Sequence, residues 1–182
     1  GPYVVIGTDA QHTYDKSDGY ICIGNNNIIR EFTTIHLPTK LKKKTTIGNN
    51  CIFMAMSHIA HDCILGDKEN MSKLSTLGGH VTIEDCVIQG GGVLVHQFSK
   101  IGRHSFVGGG FRVTQDIPPY ILAAEEPLTY KGVNSIGLKK ITLGHSSFSE
   151  GTGKSSIDLK FDSLDINILP LICYEIIFPN LV

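Results

Sequence analysis

Tryptophan is absent from this 182-residue chain, and no run of 18 or more apolar residues occurs, so the sequence encodes no membrane-spanning helix. Neither sign of charge is in surplus. With 16 Lys and Arg against 17 Asp and Glu, the net charge is −1, and no basic field suited to nucleic acid is expected. The five cysteines (Cys22, Cys51, Cys63, Cys86 and Cys173) are odd in number and include no Cys-x-x-Cys pair. That spacing argues against a disulfide framework or a thiolate zinc site and favours a reducing cytosol. The opening Gly1-Pro2-Tyr3-Val4-Val5-Ile6-Gly7 has no initiator Met and no charged n-region, and it reads as a chain entered in mid-element rather than a signal peptide. What is plentiful is glycine, 20 residues, which points to many turns rather than a helical bundle.

The turns are periodic. Counting every sixth position from Ile23 through Ile29, Ile35, Leu41, Ile47, Phe53, Ile59 and onward to Val113 gives sixteen positions, fifteen of them apolar, with Gln89 the exception. The overall hydrophobic content of 41% would give about six or seven, so the period is real. Gly follows these positions at 24, 48, 66, 78, 102 and 108, and a small residue such as Thr33, Thr39, Thr45, Cys51, Ser57, Cys63 or Ser75 stands four places after them. Helices recur at three and four residues and half-buried strands at two. A period of six fits a short strand plus a corner, with three units making a triangular coil of 18 residues. Successive coils then stack as parallel strands roughly 4.8 Å apart. The predicted fold is therefore an all-β, left-handed parallel β-helix in which the aliphatic residue fills the prism and Gly supplies permissive dihedrals. Residues 21–118 provide about five coils. Cys51 and Cys63 fall on small inward positions, where packing explains them.

Residues 8–20 break the period and are expected to form a loop leaving the coil. Lys40-Leu41-Lys42-Lys43-Lys44 keeps the phase but is too basic for a buried side, and is expected to bulge outward. After Pro118-Pro119 the pattern stops. The expected organisation is a β-helix over 1–120, a post-helix segment over 121–140, a Ser/Gly-rich linker over 141–156 and a β-rich tail over 157–182.

Of the eight histidines, His36, His58, His61, His80 and His96 stand out within the repeat. None occupies an inward position, so all are expected to project away from the prism. In His58-Ile59-Ala60-His61-Asp62, an 18-residue coil stacks position 80 over position 62, placing His80 beside Asp62 and His61. A carboxylate next to an imidazole fixes its tautomer and stabilises the imidazolium formed on proton abstraction, so the cluster suits a general base. The plainer alternative is that these histidines occupy exposed positions or pack between subunits. A zinc site is disfavoured: β-helical carbonic anhydrases use histidines about two coils apart and a pair five residues apart, and no two histidines here are separated by 36 or by 5.

The ordered series Ile35-His36, Ser57-His-Ile-Ala-His-Asp-Cys63, Leu77-Gly-Gly-His-Val81, Val95-His-Gln-Phe98, Val107-Gly-Gly109, Gln115-Asp-Ile-Pro-Pro-Tyr120 and Gly132-Val-Asn134 resembles the acyl-carrier-protein–UDP-N-acetylglucosamine O-acyltransferases of lipid A synthesis, over about residues 3–140. The resemblance implies a cytoplasmic homotrimer with active sites in grooves between neighbouring β-helices, no metal and no cofactor beyond the carrier-protein thioester as co-substrate. By position, His61 would be the general base toward the sugar 3-hydroxyl, Asp62 its orienting partner, and the Gly79 N–H an oxyanion donor. His36, His58, His80, His96 and Gln97 would line the substrate, Asn134 would contact the nucleotide and Lys140 a phosphate. Gly109, at the position that limits acyl length, leaves room for a longer chain. The lysines at 40–44, with Lys139 and Lys140, would attract acidic carrier protein.

Departures from the family pattern accompany the resemblance. The loop Gln11-His12-Thr13-Tyr14 lacks the family's carboxylate and its lysine, Ile136 replaces an acidic residue, and Lys140 an arginine, losing the bidentate fork. Against the family pattern, the first few coils are missing before Gly1, and the family's C-terminal helical domain is not expected after Lys140. Residues 165–179, with Ile172-Cys173-Tyr174-Glu175, resemble a fragment of the nitrilase-like domain of apolipoprotein N-acyltransferases; a tail this short lacks that domain's other groups, so Cys173 is expected to be inert. The alternative to an active transferase is a catalytically dead, shortened β-helix or a scaffold.

Overall fold

The computed structural model describes residues 1–135 except 15 and 126. The expected linker at 141–156, the nitrilase-like tail, Ile136, Lys139, Lys140 and Cys173 lie outside the described residues.

The described residues form a three-sided, left-handed parallel β-helix. The first face stacks β1 (Val5–Thr8), β4 (Thr34–His36), β7 (His58–Ile59), β10 (Thr76–Leu77), β13 (Leu94–Val95) and β16 (Arg112–Val113). The second stacks β2 (Tyr20–Ile23), β5 (Lys44–Ile47), β8 (Ile64–Leu65), β11 (Thr82–Ile83) and β14 (Lys100–Ile101). The third stacks β3 (Ile28–Ile29), β6 (Ile52–Phe53), β9 (Asn70–Met71), β12 (Ile88–Gln89), β15 (Phe106–Val107) and β17 (Ile121–Ala124), to which β18 (Thr129–Val133) adds antiparallel. The chain visits the faces in turn, so each strand pairs with the one a full coil away. Ile59, Leu77, Val95 and Val113 stack at intervals of 18 residues. Their side chains and those of Phe53, Met71, Leu65 and Ile83 are buried and form one core along the prism axis.

Every sixth residue also adopts the left-handed conformation. Asn50, Met56, Asp62, Lys68, Leu74, His80, Cys86, Phe98 and His104 all have φ between 56° and 66°. A non-glycine residue there costs on the order of 1–3 kcal/mol unless its surroundings fix it. Here they do, because the amide of the left-handed residue donates to a carbonyl of the preceding coil: Lys68 to Asn49, Leu74 to Ala55, His80 to His61, Cys86 to Asp67 and Phe98 to Gly79, at 2.8–3.1 Å. This corrects the role expected of glycine. Gly24, Gly48, Gly66, Gly78, Gly102 and Gly108 do not have positive φ; they stand where coils touch. A Cβ at Gly48 would lie 2.6 Å from the Gly66 carbonyl carbon, and one at Gly78 2.7 Å from the Gln97 nitrogen.

Two insertions interrupt the 18-residue register. Ile6 pairs with Ile35 and Ile35 with Ile59, offsets of 29 and 24 residues. The extra residues fall within 9–19 and 37–43, both at the corner between the first and second faces. The basic run bulges outward as expected, and Leu41, phased with the core series, is 75% exposed and outside the prism. Beyond Pro119 the hexad pattern ends, but the sheet continues: β17 pairs with β15, β18 folds back on β17, and Ile117, Ile121 and Ala123 join the core.

A buried imidazole–carboxylate cluster as candidate active site

At the corner between the first two faces, β7 delivers His58, and the following turn delivers Ala60, His61 and Asp62. One coil on, β10 delivers Gly78, Gly79 and His80. The stacking of Asp62 and His80, both left-handed corner residues, follows from the 18-residue offset. His61 Nδ1 lies 2.8 Å from Asp62 Oδ2, and His80 Nε2 lies 3.6 Å from the same oxygen. An ionised carboxylate can only accept, so the His61 proton sits on Nδ1 and Nε2 is the lone-pair nitrogen. The His61 and His80 rings meet edge to face at 5.1 Å, and His80 stacks on Phe98 at 4.6 Å.

The cluster projects away from the prism as expected, yet it is buried. Asp62 is 0% exposed, His61 6% and His80 8%, because the two insertions roof this corner. Within the second insertion, the Thr39 N–H donates to Asp62 Oδ1 and Oδ2 at 3.1 and 3.2 Å, and its hydroxyl donates to Oδ2 at 2.7 Å. From the first, His12 sets its ring edge-on to His61 at 5.5 Å. Burial alone would raise the Asp62 pKa. The Thr39 and His61 hydrogen bonds outweigh it and hold the carboxyl below its ordinary range, keeping it an anion. For His80, burial lowers the pKa more than Asp62 raises it.

A second imidazole pair adjoins the first. His36 and His58 meet edge to face at 4.7 Å, and His58 Nδ1 is hydrogen bonded to the Thr34 hydroxyl at 2.7 Å. Burial, then neighbouring imidazoles, bring His58 down to about 4 and lower His36 too. At neutral pH both are uncharged; His58 is held by the Thr34 hydroxyl, whereas the buried His36 Nδ1 has no partner among the described residues.

Gly79 is the residue that gives His61 its space. An added Cβ would lie 2.6 Å from His61 Nε2, so any side chain would occupy the approach to the lone pair. Its carbonyl accepts from the Phe98 N–H at 3.0 Å, and among the described residues its own N–H donates to no backbone acceptor. The site thus offers a lone-pair nitrogen, a carboxylate able to stabilise its protonated form, and a backbone donor beside it. That set suits general-base catalysis with oxyanion stabilisation.

Donor atoms of His61, Asp62 and His80 lie within 4.8 Å of one another, the one such triad among the described residues. The Asp62 carboxylate is already engaged by Thr39 and His61, an arrangement suited to a hydrogen-bonded dyad rather than to ligation. Cys51 and Cys63 are buried at inward positions, and burial pushes their thiols up to about 11 and 12, where they do not ionise at neutral pH.

The other sequence-predicted residues divide by corner. His96 and Gln97, both exposed, follow β13 on the corner that carries His61, stacked over Gly78 and Gly79. Gly109, exposed and bare, sits at the corner between the third and first faces. Asn134 sits at the remaining corner, where its side-chain amide donates to the His104 carbonyl at 2.8 Å and its backbone N–H to that of Tyr120 at 2.7 Å. One chain does not bring Gly109 or Asn134 to His61. Sequence does not mark Thr39 or His12 as site residues: Thr39 reads as one of the small inward residues, and the spacing holds no signal that the insertion turns it onto Asp62.

No protein-family model matches the chain. Relatives do. The acyl-[acyl-carrier-protein]–UDP-N-acetylglucosamine O-acyltransferase of Sinorhizobium fredii is 41% identical over 141 residues, 76% of this chain and 52% of that protein. The protein of the same description from Nautilia profundicola is 41% identical over 140 residues, 76% of this chain and 54% of its own. Among solved structures, the Francisella novicida UDP-N-acetylglucosamine acyltransferase superposes with a TM-score of 0.75 at 39% identity, covering 77% of this chain and 52% of that one. The Arabidopsis UDP-N-acetylglucosamine acyltransferase gives 0.74 at 42%, covering 76% and 49%. The chain spans about half the length of the curated relatives it matches.

Proposed function

We propose that this chain, whose β-helix belongs by sequence and coil architecture to the acyl-carrier-protein–UDP-N-acetylglucosamine O-acyltransferases, transfers a 3-hydroxyacyl group from acyl carrier protein to the 3-hydroxyl of UDP-N-acetylglucosamine, the opening step of lipid A synthesis. The observation that carries the reading is the His61–Asp62 hydrogen bond, with Gly79 leaving the far nitrogen of His61 unobstructed.

In this reading His61 Nε2 takes the proton of the sugar hydroxyl as its oxygen attacks the thioester carbon. The Asp62 carboxylate stabilises the imidazolium, and the Gly79 N–H donates to the oxyanion of the tetrahedral intermediate. Collapse breaks the C–S bond, and the carrier-protein sulfur leaves with the proton held by His61. The acceptor hydroxyl is itself the nucleophile, so the route uses the two substrates alone and draws on no metal. His36, His58, His80, His96 and Gln97 line the acceptor and acyl path as hydrogen-bonding groups. Gly109 leaves space for the acyl chain, Asn134 contacts the nucleotide, and Lys140 meets a phosphate as a point charge. Gly109 and Asn134 lie on other corners than His61, so the complete site requires neighbouring copies, and a homotrimer supplies them. The exposed lysines of 40–44 draw in the acidic carrier protein.

Among the described residues no helix is long and apolar enough to cross a membrane; we place the reaction in the cytoplasm, where both substrates are soluble. The test is to incubate the purified chain with a 3-hydroxyacyl carrier protein and UDP-N-acetylglucosamine and weigh the nucleotide sugar by mass spectrometry, with the oligomeric state measured by light scattering. A new ester of the sugar is expected. Its absence from a trimeric preparation would reject the transferase and leave a non-catalytic β-helix.

A further inference from the structure

Asp62 is a fully buried anion, and the structure shows what holds it. Its backbone N–H cannot follow the coil-to-coil ladder, because the 37–43 insertion displaces the coil beneath; it donates instead to the Thr45 hydroxyl at 3.0 Å. Its carboxylate is gripped by Thr39, whose amide spans both oxygens and whose hydroxyl donates to Oδ2, the oxygen that receives His61 Nδ1. The direction of that hydroxyl is fixed because an ionised carboxylate can only accept; the Thr39 oxygen in turn accepts from the Leu41 N–H at 3.4 Å. Thr39 is itself anchored: it is fully buried, bridges to Ser17 of the first insertion, and its carbonyl accepts from the Lys43 N–H at 3.2 Å. The groups facing the carboxylate are Thr39, His61 and His80, with Lys42 and His12 acting on the same cluster.

We propose that Thr39 is a positioning residue for the acyl transfer: through its amide and hydroxyl it pins the Asp62 carboxylate so that Oδ2 meets His61 Nδ1 and Nε2 faces the acceptor hydroxyl. The inference rests on the transferase reading and gives the insertion a task, delivery of one residue to the dyad.

The test compares the full chain with Thr39→Val, which keeps the shape and loses the donor, and Thr39→Ser, which restores it. The primary readout needs no substrate: carbon-13 NMR of the Asp62 carboxyl. Thr39 donates to the ionised form, so its loss should move the titration upward by roughly one pH unit in Thr39→Val and leave Thr39→Ser near the parent. In turnover, Thr39→Val should lower kcat roughly tenfold with little change in acceptor KM, and the acid limb of its pH profile should move the same way. A Thr39→Val protein that titrates like the parent with unchanged kcat overturns the proposal. Should that variant not fold, the unaltered chain still decides. A hydroxyl proton of Thr39 that exchanges slowly and shifts as Asp62 titrates supports the proposal; one that exchanges rapidly overturns it. If the parent transfers no acyl group but the titration moves as described, the transferase reading fails and the hold of Thr39 on Asp62 stands.

Discussion

Replacing Glu69 with Gln should stabilise the protein increasingly as pH rises. Glu69 occupies a small inward position of the repeat, stacked between Cys51 and Val87 in the prism, and is 1% exposed. Its Oε1 accepts from the Val87 N–H at a long 3.4 Å, and Oε2 has no partner among the described residues. Burial pushes its pKa well above the ordinary 4.5. The sign follows from linkage. The folded state holds the proton more tightly than the unfolded one, so stability is fully present below 4.5 and is lost as pH rises toward the raised folded value. Within that window each pH unit costs about 1.4 kcal/mol. Glu69→Gln keeps the shape and removes the ionisation, so that slope should vanish. At pH 8 the variant should be the more stable of the two, by about 1.4 kcal/mol for each pH unit of that window already crossed. Urea unfolding of both proteins at pH 5, 6, 7 and 8 measures the difference, in which all other titrating groups cancel. A difference that is flat with pH would refute the reasoning, since Glu69 would then be as well solvated folded as unfolded.

Gly79→Ala should place a methyl against His61 Nε2, where an ideal Cβ falls 2.6 Å away; turnover should drop roughly 100-fold and the thermal midpoint should fall as the buried ring is displaced, and an unchanged rate would show that the lone pair is not used. Reversing Lys40 and Lys42 to Glu should raise the KM for carrier protein severalfold in dilute buffer and little near 1 M salt, where screening reaches about 3 Å. Equal KM values at low salt would detach the bulge from carrier-protein docking.

The core was legible because one side chain in six has to fill the prism, and the same spacing placed Asp62 under His80. The 37–43 insertion was half legible. Its charge marked it as exposed, but at six residues it restores the hexad phase, so Leu41 looks like a core residue in sequence and lies outside in space. The glycines misled for a physical reason. Coil-to-coil hydrogen bonds let Met56, Leu74 and Phe98 hold the left-handed corners, leaving glycine where backbones touch. The burial of the cluster was invisible, since it depends on two insertions folding over one corner and on Thr39 turning toward a carboxylate. Glu69 broke the run of small residues, a departure whose meaning lies in its unpartnered oxygen. The separation of Gly109 from His61 follows from the 18-residue register, which sets the two on different corners, whereas that of Asn134 depends on β18 folding back beyond the hexads.

The account depends most on His61 being the base. Initial rates of sugar ester formation, followed by mass spectrometry for the parent and for His61→Ala with matched circular dichroism and oligomeric state, measure this directly. The expected result is a loss of on the order of 100- to 10,000-fold in kcat. Turnover by His61→Ala at the rate of the parent would contradict the assignment of His61 and Asp62 as the catalytic dyad.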